Sequence, residues 1–191
     1  CYMFNHRPNS LNAGSLWGRP FYILREAWNI LNAIAEGKIE SGDEKKLNAL
    51  KGETMAVIAL CQFDLTRCFG YPYTKDNGAS LGAPLIDHLV GTYENPSRST
   101  VAQAYDFIIE TLEEAVTLMS EEKNNGRMNK YAARALLARV YLYHNDNRKA
   151  FDMAEQLIKD VDASGSYALY PHEKYVAAWS VETKFGSESF F

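Results

Sequence analysis

The segment Gly78-Ala79-Ser80-Leu81-Gly82 has the Gly-x-Ser-x-Gly spacing of a serine nucleophile turn. That chemistry needs the serine on a strained turn between a strand and a helix, with oxyanion donors around its hydroxyl. Here Lys75-Asp76-Asn77 precedes the motif and Pro84 follows it, and no strand is expected to hold it. The segment therefore reads as a flexible glycine loop. The four histidines, His6, His88, His144 and His172, are scattered, and none has the i, i+4 spacing of a helical zinc site. Asp87-His88 reads as a solvated loop pair. Glu113-Glu114 and Glu121-Glu122 read as helix-face charges, because glycosidase carboxylates are defined by their separation across a cleft and not by spacing along the chain. There is no glycine loop of the kind that cradles phosphate. The expectation is a chain with no catalytic set, no metal and no cofactor.

Binding chemistry is better represented. Trp17, with Arg7, Asn9 and Asn12 nearby, offers a flat apolar ring beside guanidinium and amide donors. Such a mixture suits a sugar, whose C–H face packs on the ring while polar groups hold its hydroxyls. The competing role for Trp17 is to staple the first helix to the core, as tryptophan commonly does. Tyr71, Tyr73, Lys75 and Asp76 form a second candidate set.

These residues need a scaffold, and its pattern is helical throughout. Residues 1–17 read as a loop rich in Asn, Ser and Gly. Phe21, Leu24, Trp28, Leu31 and Ala35 recur at three- and four-residue steps, which predicts a helix over 18–36 that ends at Gly37. Ser41-Gly42-Asp43-Glu44 is a capping pattern opening a long helix to about Phe69. Its inward seam is expected to be Leu47, Leu50, Thr54, Val57, Cys61, Leu65 and Cys68. Residues 70–98 form a long excursion with turn-forming Gly and Pro, and loops of that length are uncommon unless functional. Thr100-Val101-Ala102-Gln103 caps a third helix carrying Val101, Tyr105, Ile108, Leu112, Ala115 and Met119.

Gly126 to Ile158 then reads as two helices and a tight turn. Asn129 can cap the first, Tyr131–His144, and His144-Asn145-Asp146-Asn147 is turn chemistry. The second places Ala150, Ala154, Leu157, Ile158 and Val161 inward. Small residues at Ala138, Ala150 and Ala154 suit close helix packing. Ala138, Tyr141 and Ala150 keep the small–aromatic–small offsets of a tetratricopeptide repeat, whose unit is about 34 residues. A short helix is expected over Tyr175–Trp179. The fold class is thus all-α, a tetratricopeptide-like scaffold with long irregular loops.

Composition sets the bounds. A chain of 191 residues with 47% hydrophobic and 23% charged residues fits one soluble helical domain over 1–191. A net charge of −4 argues against nucleic acid, which needs a clustered positive surface. Three cysteines make no disulfide framework. Cys61 and Cys68 are separated by about 10 Å along a helix, beyond the ~7 Å reach of a disulfide, and read as buried thiols. No run is long and apolar enough to cross a bilayer. Cys1 lacks a cleavable leader and reads as a fragment start in preference to a lipid site. The apolar ending Phe190-Phe191 leads us to expect a longer natural protein.

Several pieces, in order, resemble the SusD/RagB family of outer-membrane nutrient-binding lipoproteins. They are Trp28-Asn29-Ile30-Leu31-Asn32, Gly52-Glu53 with Phe63-Asp64-Leu65, and Phe69-Gly70-Tyr71-Pro72-Tyr73 with Leu81-Gly82-Ala83-Pro84-Leu85. Arg98-Ser99-Thr100-Val101, the stretch from Gly126 to Ile158, and Gly186-Ser187-Glu188-Ser189-Phe190-Phe191 continue the set. The resemblance covers roughly residues 28–191. It departs at Ile58, where the family usually has Arg, and at Thr111, where Asp is usual. It implies a surface-exposed lipoprotein at the cell outer membrane whose anchor is not in this sequence. Such a protein binds a glycan or another oligomer, peptides included, without chemistry, and hands it to a TonB-dependent, SusC-like barrel transporter. Two other functions fit the residues alone. One is a cytoplasmic tetratricopeptide-like adaptor for peptides, and the other a glycoside hydrolase.

Overall fold

Six α-helices and one two-stranded ribbon make up the described part of the computed structural model, residues 11–39, 42–123, 126–178 and 186–188. The helices are α1 (Leu11–Ala35), α2 (Glu44–Phe69), α3 (Val101–Leu118), α4 (Lys130–Tyr143), α5 (Asn147–Ser164) and the short α6 (His172–Ala178). Strands β1 (Leu81–Pro84) and β2 (Arg98–Thr100) pair antiparallel, with Leu81 opposite Thr100 and Pro84 opposite Arg98. The expected all-α, tetratricopeptide-like class holds. Each of the first five helices packs chiefly on its neighbour in sequence, so the array advances α1, α2, α3, α4, α5.

The caps of α3 and α4 are those the sequence announces, whereas α2 is capped by Asp43 and not through a box from Ser41 to Glu44; Ser41 itself lies outside the described residues. Asp43 accepts the Lys45 and Lys46 N–H groups at the start of α2, Thr100 and Gln103 form a reciprocal capping box on α3, and Asn129 accepts the Ala132 N–H on α4. Each satisfies backbone donors that a helix start leaves open, worth about 1 kcal/mol. α5 runs one turn past Val161 and stops where Gly165 turns left-handed at φ 63°.

α2 is the central element because it is buried on two sides. Met55, Ala56, Ala59 and Phe63 meet Tyr105, Ile108, Leu112, Leu137 and Val140 in one cluster. Ile58, Cys61 and Leu65 meet Leu24, Ala27, Ala83 and Ile86 in the other. Ile58, one of the family departures, is thus fully buried and apolar. Burying each large side chain is worth about 1.5–3 kcal/mol, so α2 ties the array together mainly by area. At Gly52 the α2 and α3 backbones approach closely, and a Cβ there would stand 2.9 Å from Ala115 O.

Several expectations shift. Residues 11–17 are helical, so α1 begins seven residues before Gly18; residues 1–10 lie outside the described part. The seam of α2 is broader than read, and Cys68 is exposed while Cys61 is buried. Ile158 is exposed rather than inward, and Ala138 is only half-buried, because α5 covers α4 along Ala150 and Leu157 instead. The excursion is less irregular than expected. It holds a 3-10 turn at Tyr73–Lys75 and β1, and it closes through β2. The short terminal helix spans His172–Ala178, and Trp179 lies outside the described residues.

Candidate functional site

One cleft of about 590 Å³ lies between α1 and the far half of the excursion. Trp17, Phe21 and Arg25, four residues apart, line it from the helix. That spacing places them on one face, one turn above another. Pro84, Ile86, Val90 and Pro96 supply apolar surface opposite, with His88 and Thr92 as the polar groups.

The wall opposite α1 is held by side chains reaching out of the core. Gln62 is fully buried; its Nε2 donates to Pro84 O (3.1 Å) and its Oε1 accepts the Ile86 N–H (3.3 Å). Trp28 Nε1 donates to Ile86 O at 3.2 Å. On the return strand, Arg98 Nε donates to Gly82 O (2.7 Å), its Nη2 to Leu81 O (2.7 Å), and Ser99 Oγ to Ala83 O (3.1 Å). An irregular segment so anchored has its backbone groups satisfied without extensive sheet.

Trp17 is 40% exposed. Its ring meets Phe21 edge-on at 5.0 Å and Phe69 at 4.8 Å. It therefore both staples α1 to the end of α2 and presents ring surface to the cleft. Arg25 is engaged by Glu26, with Nε and Nη2 at 3.1 and 2.9 Å from Oε1, and its guanidinium lies 5.2 Å from the Tyr22 ring centroid. The cleft thus combines a supported aromatic ring, aliphatic walls and a charged rim. That is equipment for holding a molecule with apolar faces and hydroxyl edges.

Of the residues singled out from sequence, Trp17 lines this cleft, and Asn12 falls in the first turn of the same helix. Arg7 and Asn9 lie outside the described residues. Tyr71, Tyr73, Lys75 and Asp76 do not line the cleft. Tyr71 is exposed, with Lys75 Nζ 3.0 Å from its ring centroid. Tyr73 turns inward onto His144 (4.2 Å) and Tyr105 (5.6 Å). Asp76 accepts the Ser80 hydroxyl, and that bond above all holds its carboxyl below the usual range. The serine of the Gly-x-Ser-x-Gly motif is thus spent on a turn. A strand does adjoin it, contrary to expectation, but β1 begins after the serine rather than before it. Among the described residues no group of three or more His, Cys, Asp or Glu could hold a metal ion.

Phe21, Arg25, Ile86, His88 and Val90 were not among the expected site residues. Phe21 and Arg25 follow Trp17 at i+4 and i+8, so a helix drawn from Leu11 would have found them. The loop residues carry no such signal, since tertiary bonds to Gln62 and Trp28 place them.

The sequence profile of a SusD-like family, described as starch-binding and associating with the outer membrane, matches residues 5–142. No characterised protein in a curated comparison matches significantly. A solved SusD superfamily protein from Bacteroides vulgatus superposes at TM-score 0.94 with 95% identity, over 100% of this chain and 43% of its own. Another from Bacteroides thetaiotaomicron gives 0.85 with 40% identity, over 92% of this chain and 37% of its own. A laminarin-binding SusD-like protein gives 0.68 with 23% identity, over 92% of this chain and 36% of its own, a likeness of fold. The chain spans less than half the length of each of these structures. With a profile matched over most of its helices and near-identity to a solved member, the chain belongs to the SusD-like family.

Proposed function

We propose that this chain is the helical domain of a non-catalytic glycan-binding protein. It captures an oligosaccharide in the cleft between α1 and the 84–96 wall. The observation that carries this is Trp17: a ring 40% exposed, held in edge contact by Phe21 and Phe69, lining a cleft with an aliphatic wall and a charged rim. Supporting it are the family's starch-binding description and the laminarin-binding relative of the same fold. The absence of chemistry is supported by Ser80, which is bound to Asp76, and by Glu113, which is occupied by the Tyr141 hydroxyl at 2.5 Å. The protein works at the outer membrane as a surface lipoprotein, beside a TonB-dependent SusC-like barrel that receives the ligand. The family description supports the location. None of the described helices is long and apolar enough to cross a membrane.

The test is calorimetric titration with a panel of α- and β-glucan oligosaccharides, with oligomer length measured before and after incubation. At least one should bind and keep its length, and Trp17→Ala should weaken it by about 1–3 kcal/mol, the range for losing a stacking ring. Shortened product, or binding unchanged in Trp17→Ala, would overturn the reading. Co-purification of the full-length protein with a large outer-membrane barrel tests the partner.

A further inference from the structure

One imidazole closes the far wall of the cleft on itself. His88 Nδ1 lies 2.6 Å from Asp87 Oδ1, and Nε2 lies 2.7 Å from Glu94 Oε1. The other Glu94 oxygen accepts the Gly91 N–H at 3.1 Å, and Glu94 N donates to Gly91 O at 3.1 Å. The same carboxylate therefore holds two residues that line the cleft, His88 and Gly91.

An imidazole can serve two carboxylates at once only as imidazolium, because both ring nitrogens must donate. The neutral ring has one N–H and one lone pair. One of its two contacts then sets a lone pair against a carboxylate oxygen, and the surviving bond loses its charge assistance. The two tautomers share that loss, so the Glu94 arm is made only part of the time. The ionisable groups facing the cleft are few. They are His88 on the loop and, from α1, Arg25, engaged by Glu26; the charged groups that meet the His88 ring are Asp87 and Glu94.

We propose that residues 87–94 are a proton-controlled clasp: the imidazolium of His88 ties Asp87 to Glu94 and seats Gly91 against the cleft, and loss of that proton frees the wall. The consequence for capture rests on the function proposed above. A seated wall retains ligand, and a freed wall lets it exchange.

The direction with pH follows from the charges. Asp87 first and Glu94 second raise the His88 pKa above its ordinary value. The Gly91 N–H first and His88 second lower that of Glu94. Stability from a raised histidine is complete below its ordinary pKa and fades as pH climbs through the raised one. Stability from a lowered carboxylate is complete above its ordinary pKa and fades as pH falls through the lowered one. The clasp is whole between those limits and opens on the alkaline side. The groups are exposed, so added salt weakens it.

The test uses the unliganded chain, so that it can fail while glycan binding holds, or hold while glycan binding fails. NMR follows the His88 ring and the Gly91 amide from about pH 5 to about pH 8.5, the range in which histidine titrates, with exchange corrected for its intrinsic pH dependence. Gly91 protection should fall several-fold as His88 loses its proton. His88→Gln should show the low protection throughout and no step. Glu94→Gln should bring the His88 midpoint down. A melting curve of each exposed-site variant checks folding. Protection that stays flat through the His88 titration would overturn the proposal. So would a step that survives in His88→Gln, or a midpoint that Glu94→Gln leaves in place.

Discussion

Gln62 and Ile86, twenty-four residues apart, are joined at the bottom of the cleft: a fully buried amide oxygen on α2 accepts the Ile86 backbone N–H at 3.3 Å. The nitrogen of the same amide donates to Pro84 O. One helical side chain thus fixes two backbone groups of the excursion. Gln62→Leu would remove the partner of the buried Ile86 N–H, at about 1–3 kcal/mol where water cannot reach, and one bond to Pro84 O, worth about 1 kcal/mol. A loss of roughly 2–4 kcal/mol in urea unfolding is expected, together with weakened glycan binding. Unchanged stability would show that the wall stands without Gln62.

Gly52 tests the α2–α3 contact. In a helix interior alanine is favoured over glycine by about 0.5–1 kcal/mol. Here, however, a Cβ would stand 2.7 Å from Met119 Cγ and 2.9 Å from Ala115 O. The methionine can move, but the backbone carbonyl cannot without shifting α3. Overpacking of this kind costs about 1–3 kcal/mol, so Gly52→Ala should lower the melting temperature despite its better propensity. A stabilised variant would place the helices further apart than described.

The fold was legible where pattern and capping agree, and less so where glycine and proline argued against an element. α3 and α4 follow directly from Thr100 with Gln103 and from Asn129, and α2 from its apolar spacing, although its cap is Asp43 and not Ser41. The body of α1 follows from its apolar spacing, but its start at Leu11 did not, because Gly14, Gly18 and Pro20 lie in or just after its first turns and each opposes a helix. Packing of Trp17 on Phe69 and of Leu24 in the core outweighs those local costs. The site shows the same division. Trp17 could be picked out by type, but His88 read as a solvated pair with Asp87, because its second partner, Glu94, comes six residues later around a turn that spacing does not reveal.

Arg134 and Asp160 link α4 to α5, with Nη1 2.6 Å from Oδ2 and the arginine largely buried. The Arg134 bond first, and Gln156 second, hold the Asp160 carboxyl below its ordinary range. That contribution is present above the ordinary carboxylate pKa and disappears as pH falls through the lowered one. Asp160→Asn should therefore melt earlier than the wild type at neutral pH, and the gap should close in acid. A gap that persists at low pH would assign the effect to shape and not charge.

The two cysteines of α2 should differ in reactivity. Burial first, and Asp64 second, push the Cys61 thiol up to about 11, whereas Cys68 is exposed. Alkylation requires thiolate and access. Iodoacetamide near neutral pH should label Cys68 quickly and Cys61 only after unfolding, as read by peptide mass spectrometry. Equal rates in the native state would mean that α1 opens from α2.

The excursion is tied down near its stem and not at its tip. Gln62, Trp28, Arg98 and Ser99 all grip residues 81–86, and the stretch between there and β2 is joined mainly to itself. Lengthening a loop between fixed ends costs little, about 0.6 kcal/mol for each doubling. The tip is therefore a replaceable cassette. Insertions, deletions and exchanges over 88–96 could re-cut one side of the cleft while α2 and α3 stay in place. Ligand preference could then change through one short segment while the helical array, with its outward surfaces, stayed as it is.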